Sequence, residues 1–103
     1  MPLHVNAADL DTILQIFEHE LPDAEVKAFG SRVAEHEPTD ADLDLAIVAG
    51  HIISLERMIA IERAMAEAGL PFAVDVFDYA KLTNKFKNSI EKEHITIIKE
   101  KRR

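Results

Sequence analysis

Residues 30–44 decide how this chain is interpreted; they read Gly-Ser-Arg-Val-Ala-Glu-His-Glu-Pro-Thr-Asp-Ala-Asp-Leu-Asp and join two apolar runs. The pair Gly30-Ser31 follows the first run, and Asp42-Leu43-Asp44 opens the second. A third carboxylate, Asp75, lies inside a later apolar run at residues 72–77. Carboxylates inside strand-like segments lose hydration unless a partner compensates their charge. The pattern therefore favours a site that binds a cation.

The spacing of apolar residues outside this stretch predicts alternating helices and strands. Helical periodicity and capping residues predict helices near 9–20, 54–68 and 82–93, whereas alternation and short apolar runs predict strands at 25–29, 43–49 and 72–78. Residues 31–35 fit a short helix or turn, and residues 95–98 fit either an edge strand or the end of the last helix. We expect a small α/β (α+β) domain whose mixed sheet has three to four strands, with helices packed mainly on one face.

Two apolar rows are expected to form the buried sides of the first two helices. The first row is Leu10, Ile13, Leu14 and Phe17; the second is Leu55, Met58, Ile59, Ile61 and Met65. Either row, if exposed, would instead indicate a surface for a partner.

Length and composition limit the class of protein. A chain of 103 residues suits one small domain, predicted at 1–98 and followed by a basic tail at 99–103. It contains no cysteine, which excludes disulfides and thiolate metal sites and fits a cytoplasmic location. No apolar run approaches the roughly 20 residues of a membrane span, so we expect no membrane association.

The charge is acidic overall and unevenly distributed. The net charge of −7 argues against nucleic acid as a direct partner, because phosphate backbones require a basic surface. Residues 1–80 hold 16 acids and 4 bases, whereas residues 81–103 hold 3 acids and 8 bases. The basic end is either a solvated helix with its tail or a strip that docks an acidic partner.

The three carboxylates suit a magnesium site. Asp42 and Asp44 are two residues apart, so on a strand they project from the same face. If the strand that carries Asp75 lies next to the strand that carries Asp42 and Asp44, the three carboxylates can meet at one edge of the sheet. Mg²⁺ prefers such oxygen ligands and completes its shell with water and substrate phosphates. Two ions about 4 Å apart would hold both the attacking and the leaving oxygen of a phosphoryl or nucleotidyl transfer.

The Gly30-Ser31 pair suits a nucleotide phosphate. Glycine lets the backbone approach a phosphate closely, and a helix starting at Ser31 would present free amides to it. Arg32 would add a charge-assisted contact.

At these residues the chain resembles the minimal nucleotidyltransferases of the DNA polymerase beta-like superfamily. Their pattern is Gly-Ser, about ten residues, Asp-x-Asp and a third acid on a later strand; Gly30, Ser31, Asp42, Asp44 and Asp75 match it in type and order. The resemblance implies the nucleotidyltransferase fold. It also implies metal ligation by all three aspartates, activation of an acceptor hydroxyl by Asp75, and ATP or another nucleoside triphosphate held at Gly30-Ser31.

The resemblance also implies a biological setting. Such short proteins often serve as the antitoxin of a helical HEPN-type RNase toxin, and some transfer AMP from ATP to the toxin. The expected partners are therefore that toxin and a nucleoside triphosphate, in a homo- or hetero-oligomer.

Two departures from the family pattern support an alternative. Glu35 stands where many members have glycine, and Ala41 stands where many have serine or glycine. Glu35 and Glu37 add negative charge near the expected triphosphate. The alternative is a catalytically weakened antitoxin or scaffold that acts by binding alone; a further one is transfer to a small molecule.

Overall fold

A computed structural model describes residues 3–30, 42–92 and 95–102. The elements in chain order are α1 (Ala7–Glu20), β1 (Glu25–Phe29), β2 (Leu43–Val48), α2 (Leu55–Glu67), β3 (Val74–Asp78), a 3-10 turn (Tyr79–Lys81), α3 (Asn84–Lys92) and β4 (Thr96–Lys99). The short helix or turn predicted at 31–35 lies outside the described residues.

The described strands form one mixed sheet in the order β3-β2-β1-β4. β1 pairs antiparallel with both β2 and β4, whereas β2 and β3 run parallel. α2 supplies the long connection that a parallel pair requires. The prediction of a mixed sheet of three to four strands is confirmed, and the ambiguous segment at 95–98 proves to hold the edge strand.

The main core lies between the sheet and the helices α1 and α2. Ile13 and Phe17 from α1 and Ile61 and Met65 from α2 pack on inward residues of the strands. Those strand residues alternate along the chain, as half-buried strands require, and include Val26, Ala28, Leu43, Leu45 and Ile47. The helices thus pack mainly on one face, as expected.

A smaller cluster lies on the opposite face of the sheet. Phe29 from β1, Ala46 from β2 and Ile90 from α3 are buried there, with Phe77 packed against them. α3 covers the apolar part of this face. The strand carboxylates lie on the same face. We call it the α3 face.

Local signals fix where the helices begin and end. The Asn6 side chain accepts a 2.8 Å hydrogen bond from the backbone N–H of Asp9 at the start of α1. Ser54 does the same for Arg57 at the start of α2, over 3.2 Å. Gly69, with φ +74°, follows α2 in the left-handed conformation that commonly ends helices. The sequence allows Asn6 or Asp9 as the first cap, and the structure uses Asn6, whereas Ser54 and Gly69 lie where a cap and a stop are predicted.

The buried side of α2 is narrower than the sequence suggests. Ile61 and Met65 are buried and Met58 is half-buried, but Leu55 is 69% exposed and Ile59 is 43% exposed. Positions 58, 61 and 65 lie on one side of the helix, and Ile59 is rotated about 100° from Met58. The prediction that Leu55 and Ile59 are buried is therefore wrong, because α2 carries two overlapping apolar stripes and only one faces the sheet.

The basic C-terminal segment is partly fixed to the domain. Lys99 ends β4, where its Nζ donates hydrogen bonds to the backbone oxygens of Pro22 and Ala24. Arg102 donates to Glu18 over 2.7 Å. The division at residues 98 and 99 stays a prediction. The described helices include none long and apolar enough to cross a membrane.

Candidate active site

The register of the parallel strands places two of the predicted catalytic carboxylates side by side. Asp44 on β2 pairs directly with Asp75 on β3. Both belong to the α3 face, because their neighbours Leu43, Leu45, Val74 and Val76 point into the main core. Asp42 lies just before β2 and is exposed. The sequence predicts that Asp75 can join Asp44 only if their strands are neighbours, and β2 and β3 are neighbours.

Gly30 lies directly against Asp44. It follows β1, whose last residue, Phe29, pairs with Asp44 in the antiparallel register. A Cβ added to Gly30 would stand 2.5 Å from Oδ2 of Asp44, and the backbone φ is +82°. Both facts require glycine, since a side chain would strain the backbone and displace the carboxylate. Ser31 and Arg32, predicted to bind phosphate with Gly30, lie outside the described residues.

The carboxylates repel one another. Burial raises the pKa of Asp44 above its ordinary value, and the negative charges of Asp75 and Asp42 raise it further. Each cause disfavours the ionised form, and a cation at the site would oppose both by stabilising the carboxylate. The electrostatics of the three carboxylates therefore fit a site that binds a cation.

The donor set fits magnesium in its chemistry. Within residues 3–30, 42–92 and 95–102, no three Asp, Glu or His side chains converge closely enough to hold an ion by themselves. Asp44 and Asp75 form a pair of hard oxygen donors, and Mg²⁺ commonly uses one or two carboxylates with water and substrate phosphates. The pair is thus sufficient for an ion that arrives with a nucleotide, whereas ligation by all three aspartates stays a prediction.

A groove opens beside Asp44 on the α3 face. Its volume is about 500 Å³, within the range of small-molecule sites. Its described walls comprise Phe29, Gly30 and Asp44 from the sheet. The α3 side of the groove consists of Thr83, Lys85, Phe86, Ser89 and Ile90. The carboxylate site therefore continues into a cavity large enough for part of a ligand.

Sequence reasoning missed most residues of this groove. Leu82, Phe86 and Ile90 recur four residues apart, and this spacing predicts only a buried helix face. Ile90 is indeed buried, but Phe86 remains 39% exposed at the groove. The sequence spacing does not distinguish Phe86 from Ile90, because both fit the same helix face; only the packing of α3 on the sheet leaves one exposed and buries the other.

An ionic network holds α3 against the sheet. Lys27 of β1 donates a 2.7 Å hydrogen bond to Glu91 of α3, and the hydroxyl of Tyr79 lies 3.3 Å from the same carboxylate oxygen. The hydrogen bond from Lys27 lowers the pKa of Glu91. Burial alone would lower the pKa of Lys27, but the bond and charge of Glu91 raise it overall. The network fixes the wall of the groove opposite the carboxylates.

Comparison with known proteins agrees with this arrangement. The chain is 32% identical over 95 residues to a probable protein adenylyltransferase MntA from Haemophilus influenzae, covering 92% of this chain and 83% of the relative. A crystal structure of a toxin–antitoxin with AMP-PNP matches with a TM-score of 0.71 at 17% identity, covering 86% of this chain and 71% of the other. A mutant of the toxin–antitoxin MntA-HpeT matches with a TM-score of 0.66 at 15% identity, covering 91% and 72%.

A family model also covers most of the sequence. The family described as polymerase beta, nucleotidyltransferase matches residues 11–103, a range that contains every residue of the proposed site. Because the family model spans most of the chain and a relative is 32% identical, this chain belongs to the polymerase beta nucleotidyltransferase family.

Proposed function

We propose that the protein transfers AMP from ATP to a hydroxyl group of a partner protein, and that it serves as the antitoxin of a toxin–antitoxin pair in the cytoplasm. The observation that carries the proposal is the side-by-side placement of Asp44 and Asp75, with Gly30 in contact with Asp44. This placement puts two carboxylates of the type that Mg²⁺ prefers beside a glycine, and it supports the proposal. The 32% identical relative is a probable protein adenylyltransferase, which suggests a protein as acceptor.

The proposed reaction uses each residue in a distinct way. The acceptor hydroxyl oxygen attacks the α-phosphorus of ATP, the bond from that phosphorus to the bridging oxygen breaks, and pyrophosphate leaves. Asp75, which is exposed, takes the hydroxyl proton. Asp42 and Asp44, with Asp75, would hold Mg²⁺, which supplies charge stabilisation at the reacting phosphate. Gly30, with Ser31 and Arg32, would hold the departing phosphates.

The proposed partner is a helical toxin of the HEPN type. Two solved structures of similar fold are toxin–antitoxin complexes, one with AMP-PNP. Their likeness to this chain concerns the fold, so the identity of the partner rests on the family resemblance. The partner would supply the hydroxyl that accepts AMP.

Intact mass spectrometry tests the proposal. The protein is incubated with its neighbour-encoded or co-purifying partner, ATP and Mg²⁺. We expect the partner to gain one or more AMP masses with wild type and none with Asp44→Asn, because the substitution removes a metal-binding charge. Asp23→Asn is the matched control, since Asp23 is an exposed aspartate outside the site. An equal mass gain with Asp44→Asn would contradict the proposed role of the carboxylates.

The second candidate is an antitoxin that acts by binding alone. Glu35, which departs from the family pattern, favours it, because Glu35 and the nearby Glu37 would repel a triphosphate. It predicts that Asp44→Asn and wild type neutralise the toxin equally while neither modifies it. Measuring toxin activity and toxin mass in the same samples separates the two candidates.

A further inference from the structure

We propose that the groove between the sheet and α3 receives the nucleoside of the bound nucleotide, and that Phe86 is the ring on which its base stacks. This inference rests on the proposed function, because it extends the same site. The groove begins at Asp44 and Gly30, where the phosphates would lie, and continues along Phe86 and Ile90. A nucleotide anchored by its phosphates would therefore direct its base and ribose into the groove.

The chemistry of the walls suits a nucleoside better than a chain of phosphates. Phe29, Phe86 and Ile90 present apolar surface, and Lys85 is the one cation among the described lining residues. A triphosphate requires several donors or cations, whereas a base requires a flat apolar surface and a few polar groups. The hydroxyls of Thr83 and Ser89 supply polar groups for a base edge or a ribose.

Phe86 has the geometry of a stacking surface. Its ring meets Phe29 edge to face, with centroids 6.3 Å apart and planes at 89°. It also packs against the ring of Phe77, with the two ring centroids 6.0 Å apart. Two rings therefore fix its orientation, yet 39% of the residue remains exposed. An aromatic ring that is held on one side and open on the other is the arrangement on which bases stack.

The described lining of the groove includes Asp44 but not Asp75. β2, which carries Asp44, lies between β1 and β3. The groove lies on the β1 side, since Phe29 and Gly30 line it, whereas Asp75 lies on β3. Among the described residues, the groove is therefore lined by Asp44 and not by the proposed proton acceptor Asp75, which fits a groove that receives the nucleotide.

Calorimetric titration of the full chain with MgATP and with magnesium tripolyphosphate tests the inference. Phe86→Leu keeps an apolar side chain but removes the ring, and we expect it to weaken MgATP binding about tenfold. Its affinity for tripolyphosphate should stay unchanged. Phe86→Tyr should restore ATP binding because it restores the ring. Ile97→Ala, which changes an exposed apolar residue on β4, is the matched control and should bind both ligands as wild type does.

Two results would overturn the inference. Unchanged ATP affinity in Phe86→Leu would show that the base does not stack on Phe86. An equal loss of affinity for ATP and tripolyphosphate would show that Phe86 stabilises the fold and does not contact the base. A second measurement compares wild type with Phe86→Leu: nuclear Overhauser effects between adenine H2 or H8 and a phenylalanine ring should appear in wild type and vanish in the variant.

The binding assays also separate this inference from the proposed function. If Phe86→Leu binds ATP more weakly but tripolyphosphate normally, and wild type transfers no AMP, the groove binds the nucleoside and the transfer activity is contradicted. AMP transfer by wild type with unchanged ATP affinity in Phe86→Leu would support the activity and overturn the groove assignment.

Discussion

At the scale of single residues, the site depends on a contact between a backbone and a carboxylate. Gly30 and Gly50 both adopt positive φ, +82° and +85°, but only the Cβ position of Gly30 is occupied, by Asp44. The two glycines therefore form a matched pair. They separate the effect of backbone strain from the effect of displacing the carboxylate of Asp44.

Replacing each glycine with alanine tests this separation. We expect both variants to lose about 1–2 kcal/mol of unfolding free energy from the strained backbone. Gly30→Ala should lose more than Gly50→Ala, because its Cβ would also clash with Oδ2 of Asp44. Urea denaturation measures the difference, and the AMP-transfer assay should show activity lost in Gly30→Ala only. Equal behaviour of the two variants would contradict the contact.

The Lys27–Glu91 pair gives the protein a defined pH response. The pKa of Glu91 is lowered in the folded protein, so the pair contributes stability above the unfolded pKa of Glu91 and loses it as pH falls through the folded pKa. The pKa of Lys27 is raised, so its contribution persists below the unfolded pKa of Lys27 and is lost as pH rises through the folded pKa. The pair thus stabilises the fold across neutral pH.

Thermal unfolding from acidic to neutral pH tests the acidic limit. We expect Glu91→Gln to unfold at a lower temperature than wild type near pH 7 and to approach wild type at acidic pH, where Glu91 is protonated. The effect should be small, since the Glu91 side chain is 40% exposed. Glu62→Gln, on the exposed side of α2, is the control. A constant gap between Glu91→Gln and wild type over the whole range would contradict the linkage.

At the scale of elements, α2 shows how one helix carries two apolar stripes. Its inner stripe packs on the sheet, while Leu55 and Ile59 face outward with Ile52 nearby in sequence. A periodicity of 3.6 residues fits both stripes nearly as well. The sequence predicts the helix correctly but does not identify its buried side.

Alanine substitutions measure which stripe stabilises the fold. Ile61→Ala should lose about 2–5 kcal/mol of unfolding free energy because Ile61 is fully buried. Leu55→Ala should change it by about 0.5 kcal/mol or less, since Leu55 is 69% exposed. Chemical denaturation of the two variants provides the comparison. A loss in Leu55→Ala as large as that in Ile61→Ala would restore the original sequence interpretation of this helix.

At the scale of the whole molecule, one sheet joins two cores of unequal size. β1 and β2 contribute inward residues to the large core and Phe29 and Ala46 to the small cluster under α3. β1 and β2 therefore belong to both cores. This sharing couples α3, and with it the groove, to the stability of the entire domain.

Unfolding should accordingly be one cooperative transition. Tyr79 is the only tyrosine and the chain has no tryptophan, so intrinsic fluorescence reports on the α3 face. Far-UV circular dichroism reports on helices, mainly α1 and α2. We expect the two signals to give the same urea midpoint. A lower midpoint for fluorescence would instead identify α3 as a separately melting unit.

The sequence by itself determined the Ser54 cap and the Gly69 stop of α2, the order of the strands along the chain, and the family pattern of Gly30, Asp42, Asp44 and Asp75. These follow from short-range rules: side-chain periodicity, capping hydrogen bonds and the residue types that a phosphate or a metal requires. Tertiary structure alone decided the register of Asp44 with Asp75, the contact of Gly30 with Asp44 and the exposure of Phe86. These depend on which strands become neighbours and which side of a helix meets the sheet. Both are settled by packing between segments far apart in sequence, and local patterns do not specify that packing.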